Sequence, residues 1–98
     1  MKEEYYLYTF ESTHAAIKTD KLLKSAGSVV MPVPRFLSSS CGISVRISPD
    51  NHEQAESIVR EKSGLKPFVD EHTEFDYRYW HVNIDNDTKE LKVDELNI

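Results

Sequence analysis

Only one cysteine, Cys41, stands among the 98 residues. A lone thiol excludes an intramolecular disulfide, and no CxxC or CxxH spacing offers a zinc site. Stability must therefore come from packing, and Cys41 acts alone or with another molecule. Glycine and proline are scarce, at three and four residues, so neither a low-complexity linker nor a repeat interrupts the chain. Apolar runs stay far short of the roughly 20 residues of a membrane span. Met1-Lys2-Glu3-Glu4 leads directly into YYLYTF, which predicts a cytoplasmic chain with no targeting leader. Basic residues are outnumbered, 12 against 17 acidic, for a net charge of −5. That balance argues against nucleic-acid partners, and nothing points to a membrane partner. Gly-x-Ser-x-Gly, phosphate loops and dinucleotide fingerprints are also missing. His14, His52, His72 and His81 are scattered without ligand spacing, so neither a metal nor a cofactor is expected.

What remains is an ordinary composition, 39% hydrophobic and 30% charged, of a size for one domain. YYLYTF (5–10) is short and aromatic, as strands are. ESTHAAIKTDKLLKSAG changes period: Ala15, Thr19, Leu22 and Ala26 share one helical face with Ala16 and Leu23. Ser12 or Thr13 caps that helix over about 13–26, and Gly27 ends it. SVVMPVPRF (28–36) is β-branched but carries Pro32 and Pro34, which predicts an edge strand or an early end. In GISVRIS (42–48), Ile43, Val45 and Ile47 alternate with polar residues as a half-buried strand does. A second helix follows Pro49, with Asp50 and Glu53 as an acidic capping pair and Gly64 as its stop. FDYRYWHVNI (75–84) alternates again, Trp80, Val82 and Ile84 against Tyr77, Tyr79 and His81.

Strand, helix, strand, strand, helix, strand predicts an α+β ferredoxin-like split βαβ sandwich of strand order 4-1-3-2 over residues 1–84. Residues 85–98 form either an extra edge strand or a loose acidic tail. Both helices cover one sheet face. Tyr77, Tyr79, Tyr8, Tyr5 or Tyr6 and Arg46 are expected on the other. An aromatic open face suits a homodimer or cover by the C-terminal segment. Base stacking as in an RRM is disfavoured by the acidic charge and the missing RNP1 pattern.

This topology brings Cys41, at the start of the third strand, to the beginning of the first helix. Ser12, Thr13 and His14 are its expected neighbours, and the free N–H groups of a helix start favour an anion. The polar run Ser38, Ser39, Ser40 offers further hydroxyls and N–H groups, although serine-rich loops are commonly just turns. The competing reading makes Cys41 an inert buried residue. Serine neighbours argue against it, because a core cysteine normally sits within an apolar run.

The stretch YLYTFESTHAAIKTDKLLKSAG…VMPVPRFLSSSCGISVRI resembles the small selenium/sulfur carrier protein-like family over about residues 6–64. A strand ending in Phe10, a Ser-Thr-His helix start and Leu22-Leu23-Lys24 carry the resemblance, together with Pro32-Val33-Pro34-Arg35 and Ser40-Cys41-Gly42. It implies that Cys41 accepts sulfur or selenium as a persulfide-type adduct and passes it between donor and acceptor proteins, as a carrier more than as an enzyme. Arg35, in the family motif, either steadies a thiolate or anionic donor or simply solvates a loop. Ser12, Thr13, His14, Ser39, Ser40 and Gly42 complete the expected site. The alternative is a non-catalytic interaction module that dimerises through the open sheet face.

Overall fold

A computed structural model of the chain describes residues 2–97. The outer ends of the two predicted segments, Met1 and Ile98, lie outside the described residues. In order, the elements are β1 (Lys2–Phe10), α1 (Thr13–Leu22), β2 (Val29–Pro32), β3 (Ile43–Ile47), α2 (His52–Lys62), β4 (Tyr77–Asp85) and β5 (Glu90–Leu96). All five strands belong to one antiparallel sheet of order β2-β3-β1-β4-β5. The fold is α+β. To the four strands of the expected sandwich the sheet adds a fifth, β5, paired along β4 from Tyr79↔Leu96 to Asp85↔Glu90, so of the two alternatives for residues 85–98 the extra edge strand is the one formed. Its turn is tightened by Asp85, whose carboxylate accepts the N–H groups of Asp87 and Thr88, and by Lys89 at φ 62°. Among the described residues no helix is long and apolar enough to cross a membrane.

Ser12 starts α1: its backbone is extended, and its hydroxyl accepts the Ala15 N–H at 3.1 Å. The α-helical part ends at Leu22, earlier than the predicted Ala26. A 3-10 turn, Lys24–Ala26, continues to Gly27, whose φ of 74° suits glycine. Residues 49–51 likewise form a 3-10 turn before α2, and Asn51 makes no side-chain cap. The predicted Asp50–Glu53 capping pair is thus not formed, because Pro49 initiates a tighter turn there.

Between the helices and the sheet lie Tyr8, Phe10, Val45, Ile47, Tyr77 and Tyr79, with Ala15, Ala16, Leu23, Ala55 and Val59 above them. Tyr8 and Tyr79 face each other across the strands and stack at 4.4 Å. The opposite face holds Tyr5, Leu7 and Val82, with Met31, Leu37, Trp80, Ile84 and Val93 packed around them. This reverses the expected orientation of β4. The period of two is right, but Tyr77 and Tyr79 lie under the helices and Trp80, Val82 and Ile84 lie on the open side. On β1, Tyr6 and Tyr8 likewise face the helices, while Tyr5 shares the open side with Arg46, whose guanidinium lies 4.5 Å from its ring centroid. The open face is therefore not the tyrosine face.

Candidate functional site

The connection from β2 to β3 carries Cys41. Its neck is closed by the Val33 N–H donating to the Gly42 carbonyl at 3.1 Å, and the Leu37 N–H donates to the Pro34 carbonyl within it. Leu37 packs on the open face, whereas Cys41 joins the helix-side core. The chain thus crosses the end of the sheet in four residues. Three of them are pinned to the β1–α1 junction. The Phe10 carbonyl accepts both the Ser39 hydroxyl at 2.6 Å and the Cys41 N–H at 3.2 Å. Ser40 donates its hydroxyl to the Glu11 carboxylate at 3.2 Å.

The thiol is 5% exposed. Its sulfur accepts the Ile43 N–H at 3.4 Å and lies 3.6 Å from the hydroxyl of Thr13, the first residue of α1. The first turn of a helix leaves N–H groups without intrahelical partners and presents a positive dipole end. Sulfur therefore sits between a backbone N–H and a hydroxyl, and its residue belongs to the apolar helix-side core.

Of the residues expected around the thiol, Ser12, Thr13, Ser39, Ser40 and Gly42 gather at this end of the sheet. Ser12 acts there as the cap of α1. Gly42 has open space, since an added Cβ would meet nothing within 4 Å. His14 and Arg35 are exposed and, among the described residues, form no hydrogen bond or ion pair. His14 lies in the first turn of α1, and Arg35 lies in the turn after Pro34. Two contributors escaped sequence reasoning, the Ile43 N–H and the Phe10 carbonyl. Both are backbone groups, for which no side-chain signal exists. Glu11 also went unnoticed. It holds Ser40 and lines an open surface cleft of about 540 Å³ with Lys66, Glu71, His72 and Phe75. Among the described residues no group of three or more His, Cys, Asp or Glu side chains gathers to hold a metal.

The sequence profile of the family described as "Putative Se/S carrier protein-like" matches residues 5–67. The chain belongs to that family. The Se/S carrier-like match takes in Thr13, Ser39, Ser40, Cys41, Gly42 and Ile43, and it stops before β4. No curated protein and no solved structure matches the chain significantly.

Proposed function

We propose that this Se/S carrier-like protein carries one sulfur or selenium atom on Cys41, within a single cytoplasmic domain whose core is ferredoxin-like and extended by β5. The observation that carries the proposal is the polar setting of the sulfur, which accepts the Ile43 N–H and contacts the Thr13 hydroxyl at the start of α1. Loading is a thiol exchange. The Cys41 thiolate attacks the terminal sulfur of a donor persulfide R–S–SH. The new S–S bond forms as the donor's S–S bond breaks, and R–S⁻ leaves and takes up a proton. Delivery is the same step with an acceptor thiolate as the attacking group, so no external oxidant or reductant enters. With a donor R–S–SeH, selenium moves in the same way.

The exchange needs the thiolate, which is the attacking form of a cysteine. The chain binds donor and acceptor proteins in turn and has no turnover of its own. Because the thiol is covered, exchange requires residues 39–41 to lift from the β1–α1 junction. The contacts that hold them are few, and local openings of that kind cost much less than global unfolding.

Incubation with a low-molecular-weight persulfide, followed by intact mass spectrometry, tests this. The wild type is expected to gain one sulfur atom under native conditions and lose it to an added thiol acceptor, and Cys41→Ser is expected to gain none. A wild type that takes up sulfur only when denatured overturns the proposal. Burial of Cys41 favours one other reading, an interaction module in which the thiol merely fills space. Under that reading Cys41→Ser keeps every partner that the wild type binds.

A further inference from the structure

β5 forms one margin of the sheet, and among the described residues no strand pairs with its outer side. It differs from β2 at the other margin, which has four residues, ends in Pro32 and is followed by Pro34. Short length and proline are ordinary protections of an edge against pairing with another chain. β5 has seven residues, Glu90–Leu96, and neither proline nor glycine. What it carries instead is an ordered set of charges. Lys92 and Asp94 are exposed on the helix side, flanking the half-buried Val93, which faces Val82 on the open side.

Residues directly opposite in an antiparallel pair point to the same face. Two copies of β5 can therefore pair only in registers where one residue meets itself. Three such registers align five or more strand residues. Centring on Lys92 opposes Lys92 to itself and Glu90 to Asp94. Centring on Asp94 opposes Asp94 to itself. Both put like charges across the gap, which is destabilising. Centring on Val93 aligns all seven residues, with Val93 against Val93. It also places Lys92 opposite Asp94 twice, once on each side of the axis.

We infer that β5 is a self-pairing edge: a second copy of the chain adds antiparallel about a twofold axis at Val93, held in register by two Lys92–Asp94 pairs. Both copies then share one continuous sheet, and the interface is isologous and closed. Pairing inverts one copy relative to the other. The two Cys41 ends consequently face opposite directions, each free to meet its own partner. The inference does not depend on what Cys41 does.

Sedimentation of the full chain from micromolar to millimolar concentration tests it, with charge variants as the decisive arms. The wild type is expected to approach twice its 11.3 kDa as concentration rises. Lys92→Glu and Asp94→Lys each turn both pairs into like-charge pairs, and each is expected to weaken association roughly tenfold or more. The double exchange, Lys92→Glu with Asp94→Lys, restores opposite charges and is expected to restore the dimer. Helical circular dichroism checks that every variant is folded, and Val93→Pro is a second, charge-independent block. A wild type that stays monomeric throughout overturns the inference. So does a dimer indifferent to both single variants and to Val93→Pro, a loss that the double exchange does not recover, or growth beyond two copies.

Discussion

On its helix side the sheet carries Tyr8, Phe10, Tyr77 and Tyr79, each at most 3% exposed beneath α1 and α2. At the same level on its open side, Leu7, Thr9 and Val82 are equally buried, yet among the described residues no helix lies there. Arginine and a loop replace the helices. Arg78 forks onto Glu95 at 2.7 and 2.8 Å, lies 3.9 Å from the centroid of Phe68 and 5.3 Å from that of Trp80, and so roofs one flank. Arg46 covers Tyr5 and reaches Glu3 at 3.4 Å, while Leu37 fills the far end. The Trp80 indole donates to Thr9 at 3.0 Å, which satisfies a polar side chain on this apolar surface. One face is thus closed by volume and the other by flat cations lying over rings. The two closures should fail under different perturbations.

The largest effect should follow from removing volume on the helix side. Tyr79→Ala deletes a ring stacked on Tyr8 and is expected to cost about 3–5 kcal/mol, the range for truncating a large aromatic in a core. Urea unfolding followed by circular dichroism measures it, and a loss below that of Arg78→Met would reverse the ranking of the faces. Alkaline pH attacks the same layer without mutation. Four of the five tyrosines, Tyr6, Tyr8, Tyr77 and Tyr79, lie in this layer and Tyr5 lies on the open side; all five phenols are held above their ordinary value, and burial is the leading cause in each. Because the unfolded chain releases these protons first, their contribution is complete below pH of about 10 and is lost as pH rises above it. Tyrosinate absorbance is expected to appear together with loss of helical signal. Ionisation of Tyr8 and Tyr79 in a chain that stays folded would contradict the packing.

On the open face charge is the lever. Arg78→Met keeps much of the apolar stem but leaves the Glu95 carboxylate without its fork. The expected cost is about 1.5–3 kcal/mol, the scale of a charged hydrogen bond. Glu95 in turn holds Arg78 in its charged form by hydrogen bonding. Arg78→Lys should recover only part of the loss, since an ammonium cannot make both bonds and stacks poorly on Phe68. A double-mutant cycle with Glu95→Gln, read by thermal unfolding, gives the coupling. A value near zero would mean that the loop residues Phe68 and Phe75, not the ion pair, close this flank.

This difference between faces also marks where sequence reading stops. Periodicity located β3 and β4, and the topology it implied brought Cys41 to the start of α1. It did not say which face of β4 turns inward, because both alternating sets are apolar enough to be buried. Tyrosine has a large apolar body with one polar tip, so Tyr77 and Tyr79 read as exposed when Trp80, Val82 and Ile84 stand beside them. Only the pairing of Tyr8 with Tyr79 decides it, and a register across 71 residues leaves no local signal. The serines before Cys41 were legible as hydrogen-bonding groups. Their targets were not, since Phe10 contributes a carbonyl and Ile43 an N–H. Burial of the thiol was one of two open readings, and the serine neighbours pointed away from it. It follows from where residues 39–41 are tied and not from their own polarity.

The smallest expected change in stability concerns the point where the two faces meet. Between Leu37 on the open side and Cys41 on the helix side, the chain turns across the sheet end at Ser39, whose hydroxyl bonds the Phe10 carbonyl. Ser39→Ala removes that bond while the Cys41 N–H still satisfies the carbonyl, so the loss should be about 1 kcal/mol. If residues 39–41 open locally, the same energy lowers the opening cost, and native-state alkylation of Cys41 should quicken by about fivefold. Urea separates the routes. Local opening exposes little surface, so the rate at low urea should barely depend on denaturant, whereas reaction through the unfolded chain follows the full unfolding slope. A steep slope in both wild type and Ser39→Ala would mean that the thiol is released only when both faces come apart together.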